Sequence, residues 1–140
     1  MTPIKTLEVF GEKIDILVDG SMSHGATLVI VQTCPPGGGP PPHKHTREDE
    51  TFTVLEGDFE LLREGQWVKA PVGDLQFAPR GNVHSFRNAG STMGRIAIMI
   101  TPAGMESFFE KLAGLSPASD MPRILGLFAE YGLSLDLPSA

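Results

Sequence analysis

The chain has 140 residues, of which 41% are hydrophobic and 20% charged, and its formal net charge at pH 7 is -6. This length supports one domain with a single hydrophobic core, and the composition is typical of an ordinary globular protein rather than a disordered or membrane-embedded one. The acidic balance, without a cluster of lysine or arginine, argues against nucleic acids and anionic membrane surfaces as partners.

The N-terminal segment and the cysteine content predict a cytoplasmic protein. The segment MTPIKTLEVFGEKIDI has no apolar run after a basic cluster, so we predict neither a signal peptide nor a membrane anchor. Cys34 is the only cysteine, so no intrachain disulfide forms and no oxidising compartment is required. We interpret Cys34 as a small buried apolar group.

Short apolar segments separated by glycine, proline and acidic turns occupy residues 7 to 99, and their spacing predicts a β-sandwich or barrel. Glycine at Glu56-Gly57-Asp58 and at Glu64-Gly65-Gln66 supplies the positive φ of tight hairpin turns. The predicted strands are Leu7–Phe10, Lys13–Val18, Thr27–Thr33, Thr51–Leu55, Asp58–Arg63, Gln66–Ala70, Leu75–Ala78, His84–Arg87 and Gly94–Ile100.

A glycine- and proline-rich tract from Pro35 to Pro42 leads directly into two histidines. Prolines fix φ, while glycines permit close approach of the backbone, so we interpret the tract as a rigid loop rather than a linker between domains.

Three histidines and a carboxylate follow this loop. His43 and His45 are two residues apart, so on an extended strand both side chains lie on the same face. Glu50 follows a short polar bend, and His84 comes after a proline–glycine turn that can direct it toward the first pair. Three imidazoles and a carboxylate predict a site for a first-row transition metal. By contrast, His24 lies in a turn-rich connection, and we predict an exposed loop residue there rather than a fifth ligand.

Two helices are predicted after the strands. Met105, Phe108, Phe109 and Leu112 follow helical spacing, and Gly114 is a plausible end for that helix.

The second helix is predicted from Asp120 to Tyr131, with Asp120 as its N-cap, Pro122 in its first turn and Gly132 at its end. Its predicted apolar face contains Ile124, Leu125 and Phe128. We expect one domain over residues 1–140, in which a barrel over residues 1–102 is covered by a helical extension over residues 103–140.

Two spaced motifs together resemble the cupin superfamily. The first contains Gly37, His43, His45, Glu50 and Gly57; the second contains Gly73, Pro79, Gly81, His84 and Asn88. The resemblance implies an all-β double-stranded β-helix, also called a jelly roll, with the two C-terminal helices added.

The same resemblance implies that His43, His45, Glu50 and His84 bind one divalent transition-metal ion inside the barrel. Iron, manganese, nickel, cobalt, copper and zinc all accept this ligand set. Glu50 fits the four-residue spacing after His45, whereas Asp49 fits a shorter variant and is the fallback ligand; Glu48 is a further acidic neighbour.

The tract from Gly37 to Gly57 and the segment Thr101–Phe109 also resemble single-domain bacterial cupins described as quercetin-dioxygenase-like. This implies a metal-dependent dioxygenase acting on a flavonol-like or enediol molecule bound in the barrel, with Glu50 as the catalytic base. One alternative is a non-catalytic binding or storage module. Another is a metal-dependent isomerase or decarboxylase, which would require a basic residue in the pocket.

Two further expectations concern the surroundings of the metal. We expect Leu28, Phe77, Phe86 and Met99 to form apolar walls, an assignment that depends on strand register. The family resemblance implies a homodimer, with the N-terminal strand Leu7–Phe10 as the candidate contact.

Overall fold

The computed structural model describes residues 2–136, which fold mainly into strands. The strands are β1 (Lys5–Val9), β2 (Glu12–Val18), β3 (Leu28–Cys34), β4 (His43–His45), β5 (Asp49–Glu56), β6 (Phe59–Arg63), β7 (Gln66–Ala70), β8 (Leu75–Ala78), β9 (Ser85–Asn88), β10 (Gly94–Thr101) and β11 (Leu133–Leu135). The helices are α1 (Gly20–Ser23), α2 (Glu106–Leu112) and α3 (Met121–Glu130). Each predicted strand is present, with its bounds shifted by at most two residues.

The strands form two main sheets and one short pair. One sheet has the order β1-β2-β3-β10-β5-β8, the second has the order β7-β6-β9, and β11 pairs with β4. Ile30 and Phe52 of the first sheet and Phe86 of the second belong to one buried hydrophobic cluster. This is the predicted all-β double-stranded β-helix with helices at its C-terminal side. No helix among residues 2–136 is long and apolar enough to cross a bilayer.

Strand register confirms only part of the predicted apolar wall. Phe86 is buried and lines the interior cavity, as predicted, whereas Leu28 is buried but is not among the residues that line it. Phe77 and Met99 are 53% and 36% exposed, so their assignment to the wall was wrong. Both pair with Thr51 across neighbouring strands and therefore share its face of the sheet. That face is the outer one, because side chains alternate along a strand and the adjacent Ile98 points inward.

The two C-terminal helices are confirmed, with corrections to their details. Pro122 lies in the first turn of α3 as predicted, but the Asp120 side chain does not cap that helix. Its carboxylate instead accepts the backbone N–H of Ser116 at 2.8 Å. The predicted apolar face of α3 was partly wrong, because Leu125 is 46% exposed whereas Leu127 is fully buried.

The sequence did not predict the short helix α1 or the strand β11. Asp19 accepts the backbone N–H of Met22 and caps α1, whose C-cap is the exposed His24. β11 follows α3 and pairs antiparallel with β4, placing Leu133 opposite His45. The C-terminal extension is therefore joined by backbone pairing to the strand that carries two of the predicted metal ligands.

Candidate metal centre

Backbone hydrogen bonds hold the two histidine-bearing segments together. The His43 N–H donates to the carbonyl of His84 at 3.0 Å, and the His84 N–H donates to the carbonyl of His43 at 2.9 Å. Gly81, at φ +86°, donates its N–H to the carbonyl of His45 at 2.7 Å. The proline–glycine turn thus directs His84 toward β4, as the sequence predicted.

The four predicted ligands are all buried, and each offers one donor atom within 4.8 Å of the others. The Nε2 atoms of His43 and His45 are 3.1 Å apart. One oxygen of Glu50 lies 3.2 Å from His45 Nε2, and the other lies 2.8 Å from His84 Nε2. The structure therefore brings together every side chain assigned to the site from the sequence.

The outward-facing nitrogens of the three histidines fix their tautomers. His43 Nδ1 lies 2.9 Å from the carbonyl of Pro41, and His84 Nδ1 lies 3.3 Å from the carbonyl of Asn82. His45 Nδ1 lies 3.3 Å from a carboxylate oxygen of Glu48. Because these oxygens only accept hydrogen bonds, each Nδ1 carries the proton and each Nε2 directs a lone pair to the centre.

These tautomers make the centre fit a cation. Two neutral imidazoles cannot share a hydrogen bond through Nε2 atoms that both lack a proton, although those of His43 and His45 are 3.1 Å apart. His84 Nε2 is buried without a hydrogen-bond partner among the described residues, since the nearby Glu50 oxygen lies outside hydrogen-bonding geometry. Three imidazoles and a carboxylate are a donor set that a divalent transition-metal ion accepts.

Burial and the neighbouring charges place two of these groups in the protonation states that bind metal. Burial, with a further contribution from His84, lowers the pKa of His43 to about 4, so this imidazole is neutral at pH 7. Burial acts to raise the pKa of Glu50, but the close contact with His84 and the charges of the three surrounding histidines outweigh it and lower the pKa to about 2. For His45, burial acts to lower the pKa, but Glu48 and Glu50 outweigh it and raise the pKa.

The two acidic neighbours of Glu50 have separate roles. Asp49 points away from the centre and forms an ion pair with Arg80, with 3.2 Å between Oδ2 and Nη2. It is therefore not among the converging groups, and the fallback assignment is not supported. Glu48 is buried beside His45 Nδ1 and orients that ring. The sequence offered Glu48 only as a competing ligand; its position three residues after His45 was the clue to this second role.

Asn88, the last residue of the second motif, ties strands together. Its buried side-chain amide donates to the carbonyls of Cys34 and Thr92 and accepts the backbone N–H of Gly90. Its backbone carbonyl accepts the N–H of Gly37, the first residue of the other motif. Asn88 thus fixes the loop that leads to His43 rather than reaching the centre.

A cavity of about 160 Å³ opens onto His43, His45 and Glu50. Its lining is mainly apolar and comes from both the barrel and the C-terminal helices, including Ile30, Ile98, Ile100, Phe86, Met105 and Phe108. The sequence predicted that the helices cover the barrel but treated their aromatic residues as core. In the structure they are both core and cavity wall, a dual role that helical periodicity does not distinguish.

The sequence of the chain matches a known domain family and is similar to several known proteins. The model of the cupin domain family matches residues 30–101, just over half of the chain. Quercetin 2,3-dioxygenase of Bacillus subtilis is 30% identical over 88 residues, which are 63% of this chain and 26% of that enzyme. An oxalate-binding protein of Thermotoga maritima is 32% identical over 81 residues, which are 58% of this chain and 67% of that protein. The chain thus spans only about a quarter of the length of the Bacillus enzyme.

A solved structure with the same fold is the predicted oxalate decarboxylase from Thermotoga maritima. It aligns with a TM-score of 0.63 at 25% identity, over 70% of this chain and 90% of that one. The barrel and its double-stranded β-helix topology are therefore shared with this protein.

Proposed function

The chain belongs to the cupin domain family, and on this basis we propose that it is a metal-dependent dioxygenase acting on a small molecule with a flavonol-like or enediol head. One observation carries the proposal: three buried histidines with anchored Nδ1 atoms and the carboxylate of Glu50 converge at the end of an apolar cavity. His43, His45, Glu50 and His84 are the residues that would hold the metal.

A divalent transition ion, when bound, supplies Lewis acidity and, if redox-active, electron transfer. The chain's own residues supply the rest. Pro41, Asn82 and Glu48 hold the imidazoles in the tautomer that binds metal. Glu50 Oε1 or Oε2 accepts the proton of the substrate hydroxyl, as a carboxylate within reach of a substrate head placed at the centre.

The overall reaction requires no external reductant. Both atoms of dioxygen enter the organic substrate while one of its carbon–carbon bonds breaks, so the substrate supplies all the electrons. Deprotonation by Glu50 makes the enediol more electron-rich and prepares it for this oxidation. The apolar walls at Ile98, Ile100 and Phe108 exclude water from the head group.

The similarity to quercetin 2,3-dioxygenase supports this reaction class, although the alignment covers only 26% of that enzyme. A second candidate is favoured by the oxalate-binding relative and by the structural likeness to a predicted oxalate decarboxylase: binding or decarboxylation of a small dicarboxylate. The cavity argues against it, because no lysine or arginine of the described chain lines the cavity. A sugar-phosphate isomerase lacks support for the same reason.

The test is oxygen uptake after reconstitution with iron, manganese, nickel, cobalt, copper or zinc in turn, using a flavonol and small enediols as substrates. We expect at least one redox-active ion to give oxygen consumption that matches substrate loss. The matched control is His24→Ala, which removes an exposed histidine outside the centre and should leave uptake unchanged. If no ion gives uptake while the protein still binds such molecules, the binding-module alternative is correct.

A further inference from the structure

We propose that the substrate is compact, about the size of one ring, with an uncharged apolar body, and that Glu12 on the far wall rejects ligands with an anionic tail. This inference rests on the proposed function, because it assumes that the substrate head lies at the metal centre. It narrows the substrate class from any flavonol-like or enediol molecule to small ones without a carboxylate or phosphate.

The cavity is small compared with sites for drug-sized ligands. The cavity measures about 160 Å³, whereas sites for drug-sized ligands usually measure about 300–1,000 Å³. An apolar cavity of about 150 Å³ in another protein accommodates benzene. One ring therefore fits beside the metal centre, and the three rings of a flavonol exceed the available space.

Glu12 lies on the part of the cavity wall away from the metal centre. It lines the same cavity as the metal ligands, together with Gln32. Gln32 lies four residues along β3 from Leu28, and at about 3.3 Å per residue this is about 13 Å. Leu28 pairs with Ile100, which pairs with Glu50, so Leu28 marks the level of the metal centre. Glu12 and Gln32 therefore form the polar part of the wall away from the histidines.

Hydrogen bonds fix the orientation of the Glu12 carboxylate on this wall. Glu12 accepts a hydrogen bond from the Gln32 amide at 2.9 Å and from the Gly39 backbone N–H at 3.0 Å. Both contacts hold the carboxylate in place, and no lysine or arginine of residues 2–136 lines the cavity to offset it. A carboxylate or phosphate on the substrate tail would thus lie near a fixed negative charge between apolar walls, where like charges repel strongly.

The experiment compares ligands that share a head and differ in the tail. Catechol, 3,4-dihydroxybenzoate and a flavonol are titrated anaerobically into the cobalt(II)-loaded full-length protein, and binding is followed by the cobalt absorption spectrum. We expect catechol to bind at least about tenfold more tightly than either of the others. Equal or tighter binding of the benzoate or the flavonol would overturn the inference, and so would the absence of catechol binding.

A variant tests Glu12 directly. Glu12→Gln should tighten the binding of 3,4-dihydroxybenzoate about tenfold and leave catechol binding unchanged, because only the charge is removed. The control is Glu8→Gln, which makes the same change of charge on the exposed face of β1 and should alter neither affinity. Thermal unfolding of both variants shows that the fold is retained. If Glu12→Gln leaves the preference between the two ligands unchanged, Glu12 has no role in specificity.

The outcomes separate this inference from the proposed function. Catechol binding without oxygen uptake by any metal-loaded form contradicts the dioxygenase and leaves the ligand class intact. Oxygen uptake with a flavonol but not with small enediols supports the dioxygenase and overturns the ligand class.

Discussion

At the residue scale, the metal centre depends on which nitrogen of each histidine carries its proton. Two of the three Nδ1 atoms face backbone carbonyls, but His45 Nδ1 faces the carboxylate of Glu48. A backbone carbonyl cannot be removed by substitution, whereas Glu48 can be changed. The role of Glu48 is therefore open to a direct test.

We predict that Glu48→Gln lowers metal affinity about 10- to 100-fold, because it removes the charged partner that orients His45. Asp49→Asn is the matched control, since that carboxylate pairs with Arg80 away from the centre. Competition with a chelator of known affinity measures both variants. Loss of metal in Asp49→Asn with no effect in Glu48→Gln would restore Asp49 as a ligand.

Cys34 provides a second test at this scale. Burial, with a further contribution from Glu12, raises the pKa of the Cys34 thiol well above its usual range. We predict that the folded protein resists alkylation by iodoacetamide at pH 8 and that the denatured protein reacts readily. Rapid labelling of the folded protein would contradict the burial of this thiol.

The same shift predicts how stability depends on pH. The thiol ionises near pH 8.5 in the unfolded protein but keeps its proton in the folded protein. Above that pH the folded state therefore binds more protons than the unfolded state. The contribution of Cys34 to stability is thus complete below about pH 8.5 and is lost progressively above it. Urea unfolding between pH 7 and 9.5 should show a fall that is smaller in Cys34→Ala, and equal slopes would contradict this account.

At the element scale, the C-terminal helices act as one wall of the cavity. The Phe108 ring contacts those of Phe109, Phe128 and Tyr131, with centroid separations of 5.3 to 5.6 Å. It therefore joins α2 to α3 while also lining the cavity.

We predict that Phe108→Ala lowers the free energy of unfolding by about 3–5 kcal/mol, as expected when a buried aromatic side chain is removed. Leu125→Ala on α3 is the control, since its side chain is largely exposed and should change stability by no more than about 0.5 kcal/mol. Urea denaturation followed by circular dichroism measures both. Equal losses would show that the helices do not pack as described.

The elements also show which features the sequence could predict. Residue spacing placed His43 and His45 on one face, and the resemblance to two spaced cupin motifs implied that Glu50 and His84 complete the ligand set. Strand register could not be predicted from the sequence in the same way. Phe77 and Met99 were placed inside because they are apolar, but a shift of one residue along a strand reverses the face.

The strand β11 illustrates another limit. Leu133, Ser134 and Leu135 form too short a segment to show a periodic pattern, and they form a strand only because β4 offers a partner. The predicted N-cap of α3 is absent for a related reason. The Asp120 carboxylate accepts a hydrogen bond from the Ser116 backbone N–H instead of from the helix. Both outcomes depend on tertiary contacts.

At the scale of the whole molecule, association remains a prediction. Within residues 2–136, β1 pairs only with β2 and lies at one edge of the six-stranded sheet. We predict a homodimer that pairs through this edge, and light scattering coupled to size-exclusion chromatography should give twice the chain mass. Phe77→Lys, on the exposed outer face of the sheet, should leave the dimer intact. A monomeric wild type would contradict the prediction, and a monomeric Phe77→Lys would locate the contact on that outer face instead.

We predict that His43, His45, Glu50 and His84 together hold one metal ion, and the stoichiometry of bound metal measures this. After reconstitution and removal of free ions, elemental mass spectrometry should find about one ion per chain in the wild type and in His24→Ala, and little or none in His84→Ala. Circular dichroism should show that His84→Ala retains its fold. Full metal retention in folded His84→Ala would contradict the ligand set and the account built on it.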